Sequence, residues 1–271
     1  MMCEPSATSR EGSMAFDETA LARLRFANDP LRAAVAQVRF PATLSLRDEQ
    51  VIAEITRRLP DLPELTGPTS QVQFPLGAVG QFALTQHEPA RFRDAGGTTM
   101  VSIAPDSASV EYTIYPGWEA FEARIRSTFE AIDDLLPPVL TRVGLRYVNE
   151  LLIPGAETTG DWRRLLDEEM VGFIGGERIG ARVRRSLEQV TLDMGEDEVT
   201  IRHGYVARRD LPEAAPSSLY LFDIDVYTEQ PGRRSTDRVM EVLYRYHQWA
   251  WTLFRGSIGD DVVAALGGEP A

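Results

Sequence analysis

Two short runs of this chain hold charged residues at spacings that could do chemistry. One is R-V-G-L-R-Y-V-N-E-L, which carries Arg142, Arg146 and Glu150. The other is L-F-D-I-D-V-Y, which carries Asp223 and Asp225. Side chains alternate between the two faces of a strand, so residues of equal parity share a face. Arg39 in A-Q-V-R-F and Glu111 in V-E-Y-T take the polar positions of two more alternating runs. Gathered on one sheet face, these residues would offer guanidinium forks to an anionic or polar ligand. Asp223 and Asp225 would also offer two oxygens to Mg²⁺, with Glu111 or Glu150 as a third ligand. A lone D-x-D does not define a metal site, and none is assigned. Cross-strand ion pairing among the same residues is the commoner outcome on a half-exposed sheet.

Few other chemistries find residues. His87, His203 and His247 lack metal-ligand spacing with one another. His247 follows Tyr246 in a helical run with Trp249, Trp251 and Phe254, where a hydrogen-bonded, half-buried histidine is commoner than a general base. There is no G-x-S-x-G elbow, Walker A lysine motif or H-E-x-x-H. The glycine pairs Gly96-Gly97 and Gly175-Gly176 lack the strand-to-helix setting of a dinucleotide loop. Cys3 is the only cysteine, so neither an intrachain disulfide nor a cysteine zinc site can form. Lys+Arg total 28 against 41 for Asp+Glu, a net charge of -13, and that charge disfavours general nucleic-acid binding. No apolar run approaches the ~18–20 residues of a membrane span. Residues 1–13 are polar, with no signal-peptide core, and Met14 offers a second start. The expectation is a cytoplasmic protein, off the membrane, with a protein partner or a small-molecule ligand and room to oligomerise.

The elements that must position these groups follow from periodicity. Residues 1–27 are expected as a tail with a short helical piece at 21–26. Residues 28–271 are expected as one α+β domain of two similarly patterned halves, 28–138 and 139–271. Each half gives a strand, a helix, a meander of strands and a second helix. In the first half these are a strand at 35–40, a helix capped by Ser45, strands at 72–74, 81–87, 90–94, 99–104 and 109–115, and a helix from Trp118. The strand 109–115 is expected to turn Val110, Tyr112 and Ile114 inward. The second half opens on the strand at 140–153, read as half-buried, with Val143, Leu145 and Tyr147 inside. A helix capped by Thr159 and Asp161 follows, then a hairpin at 187–194 and 198–205. The strand at 219–228, a long helix capped by Ser235 and a short helix at 260–266 complete the order. Hairpin connections imply antiparallel sheet, with the helices packed on one face. Periodicity leaves open whether that is one saddle-like sheet or two.

Three segments carry a resemblance: Arg39-Phe40, Tyr115-Pro116-Gly117-Trp118, and Arg142 to Asn149 in the form R-x-G-L-R-Y-x-N. With Asp223, Asp225, His247 and Phe254 near the end, the chain resembles a family of uncharacterised bacterial proteins of about this length. That family is scattered sporadically across genomes. The resemblance spans residues 30–260 and implies no assigned activity. Sporadic distribution implies mobile genes, such as a phage-defence or toxin–antitoxin-type locus to which an accessory component would belong. The leading expectation is therefore a non-catalytic binding or interaction protein. The ligand-binding set is Arg39, Arg142, Arg146, Glu150, Asp223 and Asp225, and the first alternative is an enzyme acting on a phosphorylated small molecule or nucleotide that combines Arg142 and Arg146 with Asp223 and Asp225. The second is a carrier of an apolar small ligand, held between helices and sheet.

Overall fold

The computed structural model describes residues 21–63, 89–176, 178–208 and 217–270. The strands expected at 72–74 and 81–87, His87 and the first twenty residues lie outside them. In chain order the described strands are β1 (Leu24–Phe26), β2 (Leu31–Arg39), β3 (Ala90–Arg93), β4 (Thr99–Ala104), β5 (Ser107–Tyr112), β6 (Val139–Leu140), β7 (Arg142–Leu151), β8 (Arg185–Asp193), β9 (Glu198–Ala207), β10 (Ser218–Thr228), β11 (Gly232–Arg233) and β12 (Gly268–Pro270). The α-helices are α1 (Glu49–Arg58), α2 (Trp118–Ile132), α3 (Thr159–Leu165), α4 (Glu168–Val171), α5 (Thr236–Ser257) and α6 (Asp260–Ala265).

Eight strands form one continuous antiparallel sheet in the order β3-β4-β5-β2-β7-β10-β9-β8. The seam is β2 against β7, with Ala34 opposite Tyr147, Ala36 opposite Leu145 and Val38 opposite Val143. Small residues on β2 let larger ones on β7 reach the helices above. The element order on the two sides of this seam matches. β2 leads through α1 to the meander β3-β4-β5, whose last strand returns beside β2 and runs into α2. β7 leads through α3 and α4 to the meander β8-β9-β10, whose last strand returns beside β7 and leads to α5. The architecture is α+β: an antiparallel sheet with helices on one face.

Helical spacing explains the packed layer. α2 buries Trp118, Phe121, Ile125, Phe129 and Ile132, steps of three and four residues. α5 does the same with Val239, Leu243, Tyr246, Ala250 and Phe254. Ser235 Oγ accepts from the Arg238 N–H at the start of α5, a cap that contributes about 1 kcal/mol. The N-cap of α3 is Thr158, one residue earlier than expected, in a reciprocal capping box with Asp161. Bonding to the Thr158 hydroxyl and backbone holds the Asp161 carboxyl down to about 2.

Several expectations are corrected. Residues 24–26 are a strand, because the far end of the chain supplies β12 as an antiparallel partner. α1 begins at Glu49; Ser45 sits in a preceding 3₁₀ turn that closes on the Asp48 N–H. The hairpin between β4 and β5 is tighter than read, with Ala104 opposite Ser107 across Pro105-Asp106. Ile114 lies beyond the end of β5 and is exposed. β7 is not half-buried: nearly every residue is buried on both faces, Arg142 and Arg146 included. On the face away from the helices, Ala33, Val35, Val148, Leu219 and Leu221 form a second, small apolar cluster.

One glycine is required by close strand approach. Gly204 on β9 has φ 154°, and a Cβ there would lie 1.9 Å from the Ser186 carbonyl oxygen of β8. Gly204→Ala is expected to cost about 2–3 kcal/mol in a denaturant melt. Gly232→Ala meets no atom within 4 Å and should fall within about 0.5 kcal/mol of wild type. Equal midpoints for the two variants would contradict the close-approach account.

Candidate functional site

The charged residues singled out by spacing do meet, on the sheet face away from the helices. Arg146 stands opposite Asp225 in the β7–β10 register, yet its fork slips one diagonal. Nε donates to Asp223 Oδ1 and Nη2 to Asp223 Oδ2, both at 2.7 Å. Arg142 reaches further, to the aspartate that stands opposite Arg146, with Nη2 at 3.1 and 3.2 Å from the two oxygens of Asp225. Gly144 makes room for it: a Cβ there would sit 2.5 Å from Arg142 Nη1. The Arg142 guanidinium also lies over the Tyr227 ring at 4.4 Å and donates to Gln37 Oε1 at 3.3 Å. Arg39 Nε donates to the same Gln37 oxygen at 3.3 Å, and burial beside Arg142 lowers its pKa. Arg202 reaches Asp223 at 3.5 Å. Burial raises the Glu111 carboxyl, opposed by the charge of Arg146. Glu150 stands apart, 3.6 Å from Arg32 Nε.

Both aspartates are thus held by guanidiniums, Asp223 by two nitrogens of Arg146 and Asp225 by Nη2 of Arg142. The oxygens that Mg²⁺ would need are the ones the guanidiniums hold. Among the described residues no three His, Cys, Asp or Glu side chains are grouped to hold a metal. Removing one partner of such a pair leaves an uncompensated buried charge. Arg146→Ala is expected to lose about 3–5 kcal/mol of unfolding free energy, and the double variant Arg146→Met/Asp223→Leu to recover most of it. A single variant within about 1 kcal/mol of wild type would remove this pair from the account of stability.

The second candidate lies on the helix side. A cavity of about 800 Å³ opens between the β1 segment, the start of α2, the middle of α5 and strands β7 and β10. Its polar centre is His247 on α5. The imidazole stacks on Trp118 of α2, with centroids 4.4 Å apart and planes 8° from parallel. Its Nδ1 lies 3.0 Å from the Tyr147 hydroxyl of β7, which contacts the Tyr115 hydroxyl at 3.4 Å. Burial, then the charge of Arg23, lowers the His247 pKa to about 3. The ring is therefore neutral, and Nδ1 and the Tyr147 hydroxyl share one hydrogen bond. Burial pushes Tyr147 well above the usual phenol range and Tyr115 up to about 12. Gly117, at φ 98°, turns the chain sharply out of the β5 segment so that Tyr115 and Trp118 both border the cavity. Trp251 forms another wall, with Arg23 over its ring at 5.3 Å.

Of the residues named from sequence, His247 alone was weighed for chemistry and lies here. The other described histidine is structural: Tyr220 O–H donates to the Met170 carbonyl at 2.5 Å, so His203 Nδ1–H donates to Tyr220, 2.6 Å away. Sequence reasoning missed Arg23, Tyr115 and Tyr147 as lining groups. The Y-P-G-W turn was the available signal for Tyr115; Arg23 gave none, since its partners lie more than 200 residues away. Tyr115 to Trp118, Tyr147, Asn149, His247 and Phe254 border this cavity, whereas Arg39, Phe40, Asp223 and Asp225 do not. A scan against protein-family models gave no match, and neither did a search of curated proteins. No helix among the described residues is long and apolar enough to cross a membrane.

The depressed histidine predicts a pH effect. Below the unfolded value of about 6.5 the unfolded chain takes up a proton that folded His247 refuses, so stability falls as pH drops from there towards about 3. His203, also lowered by burial, adds in the same direction. His247→Gln should lose about 1–2 kcal/mol less than wild type between pH 7 and pH 5 in thermal melts. Parallel pH profiles for the two proteins would show that His247 is not held neutral.

Proposed function

We propose that this chain is a binding protein for a small planar molecule, held in the aromatic cavity between the sheet and helices α2 and α5. The observation that carries the reading is the neutral His247, stacked on Trp118 and bonded to Tyr147, at the centre of that cavity. Flat walls from Trp118, Tyr147 and Trp251 suit ring stacking. The volume, about 800 Å³, falls within the usual range of small-molecule sites. The groups at its centre favour holding over turnover. Neither a histidine titrating near 3 nor a phenol near 12 exchanges protons readily at neutral pH. The arginine–aspartate face supports a ligand role less well, because its forks already grip carboxylates.

Saturation-transfer NMR on the full chain, with a panel of neutral bicyclic aromatics, tests this. Several members should bind and compete with one another. Trp118→Ala and the less buried Trp251→Ala, each checked for folding by circular dichroism, should weaken binding at least about tenfold, or 1.4 kcal/mol. A silent panel against wild type, or undiminished binding by both folded variants, would refute the reading.

A further inference from the structure

We infer that the ligand is an aromatic carboxylate and that Arg23 reads its acid group; this rests on the cavity reading above and names its ligand class. Arg23 borders the cavity and, among the described residues, has no carboxylate partner. Its Nη2 donates to the neutral amide oxygen of Gln248, and its guanidinium lies over Trp251 at 5.3 Å. Among the described residues no carboxylate comes within 4 Å of it, and Gln248 is its sole hydrogen-bond acceptor. The other edge of a five-donor fork is therefore unspent. Burial lowers the Arg23 pKa, opposed by the nearby phenols and by Glu119. An incoming carboxylate would take two parallel N–H···O bonds and supply the missing charge.

The surrounding charges set the valence of the ligand. Asp29 and Glu119 also border the cavity, both at exposed positions, and Asp29 Oδ1 is turned onto the Leu31 N–H at 2.9 Å. Arg25 borders it too, from an exposed position. Asp29 and Glu119 would oppose a phosphate dianion, and Arg25, exposed like them, offsets only one of the two. A carboxylate monoanion matches Arg23 one for one. The flat body of the acid would then lie along the Trp118–His247 stack, where the neutral imidazole adds no second cation.

The test compares 2-naphthoate with 2-naphthamide, which share ring and shape and differ in charge. Affinities are read by calorimetry on the full chain at pH 7.5. Wild type should prefer the acid at least about tenfold. Arg23→Gln should reduce the ratio to about one, while Arg23→Lys, keeping the charge without the fork, should keep part of it. Equal affinities in wild type would overturn the carboxylate inference and leave the aromatic cavity standing. Binding of neither probe would count against both. An acid preference that survives Arg23→Gln would remove Arg23 as the reader. The wild-type comparison needs no variant to fold.

Discussion

The structure depends on how a strand buried on both faces accommodates charge. β7 sits beside the seam, with the helix layer over one side of it and buried polar groups on the other. Two guanidiniums on such a strand would each cost several kcal/mol if left unpaired. Asp223 and Asp225 supply the partners: Arg146 reaches two residues along β10 from its own register position, and Arg142 reaches the residue opposite Arg146. The sequence contains no lysine. A lysine could offer Asp223 a point charge but not the pair of parallel bonds that the Arg146 fork makes. The pairs also tie the register to the core. A slip of β10 by one residue would set Phe222 and Ile224 against the arginines and turn both aspartates into the helix layer.

Legibility from sequence follows from what periodicity encodes. Strict alternation in β7 and β10, and three-and-four spacing in α2 and α5, report which face of each element is apolar. They located those elements closely, and their repeated order foreshadowed the matching paths on either side of the seam. Alternation does not report what a polar face looks at. Arg142 and Arg146 make the same pattern whether they meet water or aspartate, so β7 read as half-buried when it is buried throughout. Local pattern also fails where structure is made at long range. Leu21 and Leu24 stand at helical spacing, yet residues 24–26 become a strand because residues 268–270 pair with them.

The candidate sites divide along the same line. The charged cluster was visible because charge at regular spacing is conspicuous, and its members other than Glu150 lie together. Their assembly into closed ion pairs depends on the β7–β10 register, which no single run contains. The cavity was nearly invisible because its parts are aromatic, and aromatic residues at helical spacing read as core. Trp118 and His247 are each ordinary on their own helices. What distinguishes them is an 8° stack across the α2–α5 contact, a relation between elements.

The two faces are coupled through adjacent residues of one strand. Arg146 points to the polar face and is held there by two 2.7 Å bonds to Asp223. Tyr147, the next residue, points the other way, to His247. A fork anchored at both nitrogens restricts the backbone between it and the following residue, so the ion pair on one face helps set where the phenol stands on the other. Ring stacking demands little of a wall beyond flatness, but a hydroxyl that must meet an imidazole nitrogen at 3.0 Å needs a fixed position. The charged cluster is then structural in its own contacts and functional through its neighbour. Under the proposed binding role, it would preorganise the cavity and spare a ligand the cost of ordering its walls.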